Sequence, residues 1–297
     1  MIKNYQRIYW LIALFIFVLA MPSLFADDKV SQKGLLWQIT KPGLTQSYLF
    51  GTIHSEDHRV NKLPPIVYSR FKQAKSVSLE LLMDIPTIMK SASAMFFTGE
   101  QSLDKILDKK LFAQVVKALQ QYHMPPQMVK RLKPWAVMAT LSTPPSQTGE
   151  FLDLLLYREA QQLQIPTYGL EKVEEQLQVF EGLSLDEQVT LLKETLKQAD
   201  EMPKIFNKLH ELYLQRDLTA LMTYSIEYMQ DGSDHKVLLD TFYERAIDNR
   251  NFKMVEKMEK RLQEGNAFIA VGALHLPGEN GLLRLLQARG YRVLALY

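Results

Sequence analysis

The chain has 297 residues, of which 47% are hydrophobic and 23% charged, and this composition excludes a disordered or fibrous protein. Its 35 basic and 33 acidic residues nearly cancel without forming a basic block, which argues against nucleic acid as a partner because phosphate contacts need clustered positive charge. It has no cysteine, which excludes disulfides and a thiol-linked lipid, so stability must come from the core.

The first 26 residues have the pattern of an export signal. Lys3 and Arg7 precede an apolar run over residues 8–20, and the small residue Ala26 ends the segment. The run is too short for a comfortable membrane span. We therefore expect export to the periplasm or cell envelope, with cleavage after Ala26. An uncleaved N-terminal anchor is the alternative, and either form would be the chain's only contact with a membrane.

Strand patterns follow at both ends of the remaining chain. Short apolar runs bounded by turn residues predict strands over residues 35–39, 48–53, 77–82, 267–273 and 292–296, with a weaker one over 166–170. The turn at Pro42 and Gly43 would make the first two a hairpin. A predicted helix over 64–74 would connect the strands at 48–53 and 77–82, and another over 281–289 would connect the strands at 267–273 and 292–296. Strand–helix–strand units at this spacing indicate that the two strands of each unit pair in parallel.

The middle of the chain has helical periodicity. Predicted helices cover residues 112–121, 151–163, 186–199, 203–215, 218–229 and 236–262. The sequence thus predicts an α/β fold with a mixed, largely parallel sheet formed by the N- and C-terminal segments. Residues 27–297 would form one domain with a large helical insertion at about 100–262.

Two apolar strands are each followed by a Gly-x-x-His turn, which ends in His54 and in His275. Glycine allows a sharp bend or a close approach of another group. Ligands of open parallel sheets bind beyond the carboxyl ends of the strands. We therefore expect both imidazoles at one edge of the sheet. The alternative is that each histidine merely packs against or caps its strand.

Two glutamates occur in similar positions. Glu80 has apolar neighbours on both sides, and burial of its carboxylate is costly without a partner or metal. Two imidazoles and one carboxylate form a recognised ligand set for a divalent metal with open positions. Glu171 follows the strand predicted over 166–170. The alternatives are a water-facing edge position for Glu80 and a helix-dipole role for Glu171, as expected for Glu174 and Glu175.

The remaining candidates have weaker signals. His58 lies in a polar loop where it could approach the motif histidines, and Glu56 and Asp57 are expected to be loop charges. We expect His123, His210 and His235 to be solvated because their surroundings are polar.

These segments resemble the TraB/PrgY/GumN family. The resemblance covers about residues 35–297 and rests on Leu36-Trp37, residues 48–54, Leu63-Pro64, Glu80, Gly169-Leu170-Glu171 with Glu175-Gln176, Arg250-Asn251 with Met254, and residues 271–278 through Gly290-Tyr291. The pair Ala273-Leu274 is bulkier than is usual in the second motif. This difference should not prevent His275 from acting as a ligand. The resemblance implies the α/β core of the erythromycin esterase and ChaN-like proteins. It also implies kinship to Tiki metalloproteases, which need both Gly-x-x-His motifs and a glutamate.

The favoured hypothesis is a metal-dependent hydrolase of peptides or small molecules, with peptide hydrolysis preferred. His54 and His275 would bind a divalent ion, with Glu80 or Glu171 as further ligand and the remaining acid as general base. Zn, Mn and Co all suit these donors. Arg250 would stabilise an oxyanion or form a helix-surface salt bridge. The alternatives are a non-catalytic metal- or haem-binding protein and a regulatory interaction protein. The sequence does not define the oligomeric state.

Overall fold

The computed structural model describes residues 32–297, so the predicted export signal lies outside the described residues. Among those described residues, no helix is both long enough and apolar enough to cross a membrane.

A six-stranded sheet is formed within residues 32–297. Its strands are β1 (Leu36–Thr40), β2 (Ser47–Thr52), β3 (Ser76–Leu79), β4 (Thr167–Gly169), β5 (Ala267–Gly272) and β6 (Arg292–Ala295), in the order β4-β3-β5-β2-β1-β6. β1 is antiparallel to β2 and β6, whereas the pairs β2–β5, β5–β3 and β3–β4 are parallel. Five strands therefore run in one direction, which confirms the mixed, largely parallel sheet.

The order of the strands corrects one sequence prediction. The two predicted strand–helix–strand units are β2-α-β3 and β5-α-β6, and in neither do the two strands pair with each other. β5 lies between β2 and β3, and β6 pairs with β1 instead of β5. The reason is the β1–β2 hairpin, which occupies one edge of β2 and leaves the other for the apolar strand β5. The chain after β5 must then pass the hairpin and reach the free edge of β1.

Helices fill the connections between the strands. They are α1 (Pro65–Phe71), α2 (Ile85–Ala94), α3 (Leu103–Ile106), α4 (Lys109–Leu119), α5 (Pro126–Val129), α6 (Pro134–Leu141), α7 (Leu152–Gln162), α8 (Val173–Glu181), α9 (Leu185–Gln198), α10 (Met202–Leu214), α11 (Leu218–Gln230), α12 (Lys236–Tyr243), α13 (Asn249–Glu264) and α14 (Leu282–Ala288). A π-helical turn, Glu244–Asp248, joins α12 to α13 within the segment predicted as one helix.

Local chemistry explains several helix ends. The Asp108 carboxylate accepts a hydrogen bond from the Leu111 amide at the start of α4, at 2.8 Å. Ser184 and Glu187 form a reciprocal capping box at the start of α9. Gly265 ends α13 with a φ of 73°, a left-handed conformation that favours glycine.

Aromatic side chains anchor the centre of the sheet. Phe268 of β5 makes an edge-to-face contact with Phe71 at a centroid distance of 5.2 Å and a tilted contact with Phe50 at 6.1 Å. All three side chains are fully buried, and each such burial contributes roughly 1.5–3 kcal/mol. This packing holds β2 and β5 side by side. The residues that follow the two strands therefore also lie next to each other.

Candidate functional site

The two Gly-x-x-His turns leave neighbouring strands at the same edge of the sheet. β2 and β5 are parallel, with Gly51 opposite Val271 and Thr52 opposite Gly272. A Cβ at Gly51 would lie 2.8 Å from Leu276 Cδ1 and 3.2 Å from the Ala273 Cα. The motif glycine is thus required by the close approach of one turn to the other.

His275 is buried in the 3₁₀ turn Ala273–His275 and has a defined tautomer. Its Nδ1 lies 2.7 Å from Asn251 Oδ1, while Asn251 Nδ2 donates to the Asn280 carbonyl at 2.9 Å. Because the amide nitrogen is engaged by a carbonyl, its oxygen faces the ring and Nδ1–H is the donor. Burial lowers the pKa of His275 to about 4, so Nε2 carries a lone pair at neutral pH.

Glu80 lies immediately after β3 and faces this lone pair. Its Oε1 is 3.6 Å from His275 Nε2 and accepts a hydrogen bond from the Gly272 amide at 2.6 Å. The carboxylate is buried, so the water-facing edge position is wrong. Burial raises the pKa of Glu80, but His275, Arg250 and the Gly272 amide together bring that pKa below its ordinary value.

Arg250, the second residue of α13, bridges the two predicted acids. Its Nη2 donates to Glu80 Oε2 at 2.5 Å and to Glu171 Oε2 at 2.6 Å, and its Nε lies 3.0 Å from both Glu171 oxygens. The Glu171 amide also donates to the Glu80 carbonyl at 2.8 Å, which aligns the two acids. Arg250 thus forms the salt bridge that was the alternative to an oxyanion role, but its side chain is only 13% exposed, so the bridge is buried and does not lie on the helix surface.

Glu171 is held away from solvent by this bridge. Its side chain is 1% exposed and lies outside α8, which begins at Val173. Glu174 and Glu175 occupy the first turn of α8 instead, where acids complement the helix dipole. Glu171 therefore acts as a buried counter-ion of Arg250 in this structure, and it is poorly placed to serve as a general base for a substrate.

His54 lies on the solvent side of the group. Its side chain is 53% exposed and its ring contacts Phe151 at a centroid distance of 5.5 Å. His54 Nδ1 lies 3.6 Å from Asp153 Oδ2. The imidazole is also close enough to Glu80 and His275 to act on the pKa of each. The structure thus gathers His54, Glu80 and His275 at one edge of the sheet.

Asp153 is a member of this group that the sequence reasoning missed. It lies in the first turn of α7, is buried, and accepts a hydrogen bond from Thr52 Oγ1 at 3.1 Å. Its Oδ2 has no hydrogen-bond partner in the structure. Burial, reinforced by the charge of Glu80, raises the pKa of Asp153. An acid inside the apolar run of residues 151–156 carries the same signal that singled out Glu80.

Two pairs of donor atoms have the spacing of ligands around a divalent cation. The two nitrogen–oxygen separations of 3.6 Å, His54 to Asp153 and His275 to Glu80, are too long for hydrogen bonds. Two ligands that each lie about 2.1 Å from one ion are separated by roughly 3–4 Å. The buried Asp153 Oδ2 also accepts no hydrogen bond, so it is available to a cation or a proton. Within residues 32–297, however, no three of these groups already converge closely enough to form a complete metal cage.

A cleft of about 750 Å³ opens beside His54. The loop over residues 54–59, the loop over residues 143–149, Phe151 and the first half of α10 line it. His58 is almost fully exposed in this cleft. His210 also lines it but is buried, which corrects its expected solvation; α10 packs it against Asp57 and Arg59. His123 and His235 are exposed, as expected.

The fold and these motif turns define an α/β protein with its polar groups at the carboxyl edge of the sheet. The model of the TraB/PrgY/gumN family matches residues 35–295. The chain therefore belongs to the TraB/PrgY/gumN family.

Several relatives were found by sequence. Metalloprotease TIKI2 of Danio rerio is 28% identical over 90% of this chain, and metalloprotease TIKI1 of Homo sapiens is 26% identical over 87%. The chain spans 62% of the first relative's length and 61% of the second's. The uncharacterized protein YbaP of Escherichia coli is 23% identical over 84% of this chain and 90% of its own length. No solved structure matches the chain at a significant level.

Proposed function

We propose that this protein is a metal-dependent peptide hydrolase of the cell envelope. The observation that carries the proposal is the arrangement of His275, whose Nδ1–H is held by Asn251 while its unprotonated Nε2 faces the Glu80 carboxylate from 3.6 Å. A buried imidazole oriented by a second residue and directed at an acid is typical of a metal ligand. Relatives named as metalloproteases support the same reaction.

In this proposal His54, Glu80 and His275 hold one divalent ion. Asp153 is placed beside these three ligands as the acid available for proton transfer, because its free oxygen faces His54. A bound ion would polarise a peptide carbonyl and make a water molecule more acidic. Imidazole and carboxylate donors suit Zn, Mn and Co, and the carboxylates favour such an ion over haem iron.

The protein's own groups have distinct roles in the proposal. Asp153, whose raised pKa allows it to take up a proton near neutral pH more readily than an ordinary aspartate, is the general base in place of Glu171. Arg250 keeps Glu80 ionised and in position through its hydrogen bond. His54 is exposed at the cleft, where a substrate can reach it. Localisation in the envelope rests on the export pattern of residues 1–26.

The test is cleavage of a peptide library by the purified protein, read by mass spectrometry. Activity should disappear on treatment with a chelator and return with Zn, Mn or Co. The variants His275→Ala and Asp153→Asn should be inactive, whereas the control variant His123→Ala, in an exposed turn, should retain activity. Cleavage that survives chelation, or that persists in His275→Ala, would contradict the proposal.

A further inference from the structure

The cleft beside His54 has an apolar wall of fixed shape. Phe151 and Phe206 line it together with Pro144, Pro145 and Pro203. The three prolines are exposed, and both phenylalanine rings are partly exposed. Proline rings have few conformations, so this surface loses little entropy when a ligand covers it.

The acids of the cleft already have hydrogen-bond partners within the protein. Glu56 accepts hydrogen bonds from the amides of Gln147, Thr148 and Gly149 at 2.8, 2.6 and 3.0 Å, and from the hydroxyls of Ser146 and Thr148. These donors saturate its carboxylate, leaving it little capacity for a charged ligand.

The second acid is paired with the cleft's arginine. The Asp57 carboxylate accepts hydrogen bonds from Arg59 Nε at 3.0 Å and from Arg59 Nη2 at 2.7 Å, which makes a bidentate ion pair. A charged ligand would have to break this ion pair before it could bind Asp57 or Arg59. The cleft therefore offers apolar surface beside acids whose hydrogen-bonding capacity is already used within the protein.

The same contacts hold the cleft in shape. Glu56 ties the loop after His54 to residues 146–149, which precede Phe151. Arg59 also donates to Asn207 Oδ1 at 3.3 Å, and the Tyr213 hydroxyl donates to the Gly51 carbonyl at 2.8 Å. α10 is thus attached both to the loop and to β2, and the cleft exists before a ligand arrives.

We infer that this cleft binds a peptide through an uncharged, apolar side chain that lies in the space lined by Phe151 and Phe206. The inference rests on the proposed function, because His54, one of the proposed metal ligands, lines the same cleft and a peptide bound there would lie beside it. An apolar wall with polar groups beside it is the usual character of a ligand pocket of this volume. Peptides with an acidic or basic residue at that position are excluded because charge transferred to apolar surface is costly.

The test measures binding, without metal or turnover. Fluorescent peptides that differ at one position, Leu, Phe, Asp or Lys, are titrated into the chelator-treated full chain and followed by anisotropy. The Leu and Phe peptides should bind roughly tenfold or more tightly than the Asp and Lys peptides. Equal affinity for all four peptides would overturn the inference, as would binding of an apolar dye or a lipid with no binding of any peptide.

Variants of Phe206 locate the binding surface. Phe206→Ala should weaken binding of the Leu peptide roughly tenfold, and Phe206→Leu should largely preserve it. Phe206→Lys should shift the preference towards the Asp peptide. The control Phe252→Lys changes an exposed ring on α13 and should leave all affinities unchanged. A Leu-peptide affinity that is the same in Phe206→Ala would overturn the inference, and apolar binding without hydrolysis would reject only the proposed function.

Discussion

Replacing Arg250 with methionine should destabilise the protein strongly. The substitution keeps a long apolar side chain but removes the guanidinium that bridges Glu80 and Glu171. The exposures of the three side chains are 13%, 8% and 1%, so water cannot replace the lost partner. Two buried carboxylates would remain without their common cation.

The magnitude follows from this burial. Breaking a buried ion pair by removal of one partner costs about 3–5 kcal/mol, a large part of the roughly 5–15 kcal/mol that stabilises a typical domain. For a domain of this size, each kcal/mol shifts the melting temperature by about 2–4 °C. The Arg250→Met variant should therefore melt roughly 6–20 °C below the wild type. Arg250→Met/Glu171→Gln should recover part of the loss, because one buried charge disappears.

The assay is thermal unfolding followed by circular dichroism, with urea unfolding as an independent measure of the free energy. Lys257→Met is the matched control because Lys257 lies on the same helix and pairs with Glu175 at the surface, at 2.7 Å. Loss of such an exposed pair costs about 0–1 kcal/mol. An Arg250→Met variant as stable as Lys257→Met would refute the claim that this arginine neutralises a buried pair of acids.

Substitutions of Asn251, Glu56 and Gly51 test three further parts of the structure. Asn251→Leu removes the acceptor that orients His275, and it should weaken Zn²⁺ binding in a titration about 10–100-fold; unchanged affinity would count against that orientation. The pKa of Glu56 is lowered from 4.5 to about 2, chiefly by Ser146 and Thr148, so its contribution to stability is present above pH 4.5 and lost as pH falls towards 2. The difference in melting temperature between the wild type and Glu56→Gln should shrink over that range, and a difference independent of pH would contradict it. Gly51→Ala should cost about 1–3 kcal/mol in urea unfolding because its Cβ would meet Leu276 at 2.8 Å, and an unchanged midpoint would disprove the close contact.

The sequence was most informative where the pattern of a strand ended in a polar group. Apolar runs bounded by glycine predicted β2 and β5 and thereby placed His54 and His275 just beyond them. Periodicity can define a strand but not its neighbours, because pairing depends on which sheet edges remain free. The hairpin took one edge of β2, and β6 consequently joined β1.

The roles of individual acids needed three-dimensional information. Asp153 lies about a hundred positions from His54 in the chain, and only the packing of α7 brings the two together. Glu171 and Glu80 carried the same sequence signal, yet Arg250 from a distant helix engages both. His210 occurs in a polar stretch, but α10 turns it towards Asp57 and buries it. Composition around a residue does not reveal such long-range partners.

The central claim, that the two motif histidines share one divalent ion, is tested most directly by X-ray absorption spectroscopy of the Zn²⁺-loaded protein. The spectrum should show a bound ion with two imidazole ligands and oxygen donors, and elemental analysis should give one ion per chain. His54→Ala and His275→Ala should each lose one imidazole or the ion itself, whereas His58→Ala, at an exposed position of the same cleft, should match the wild type. An unchanged count of imidazoles in both motif variants would contradict the claim.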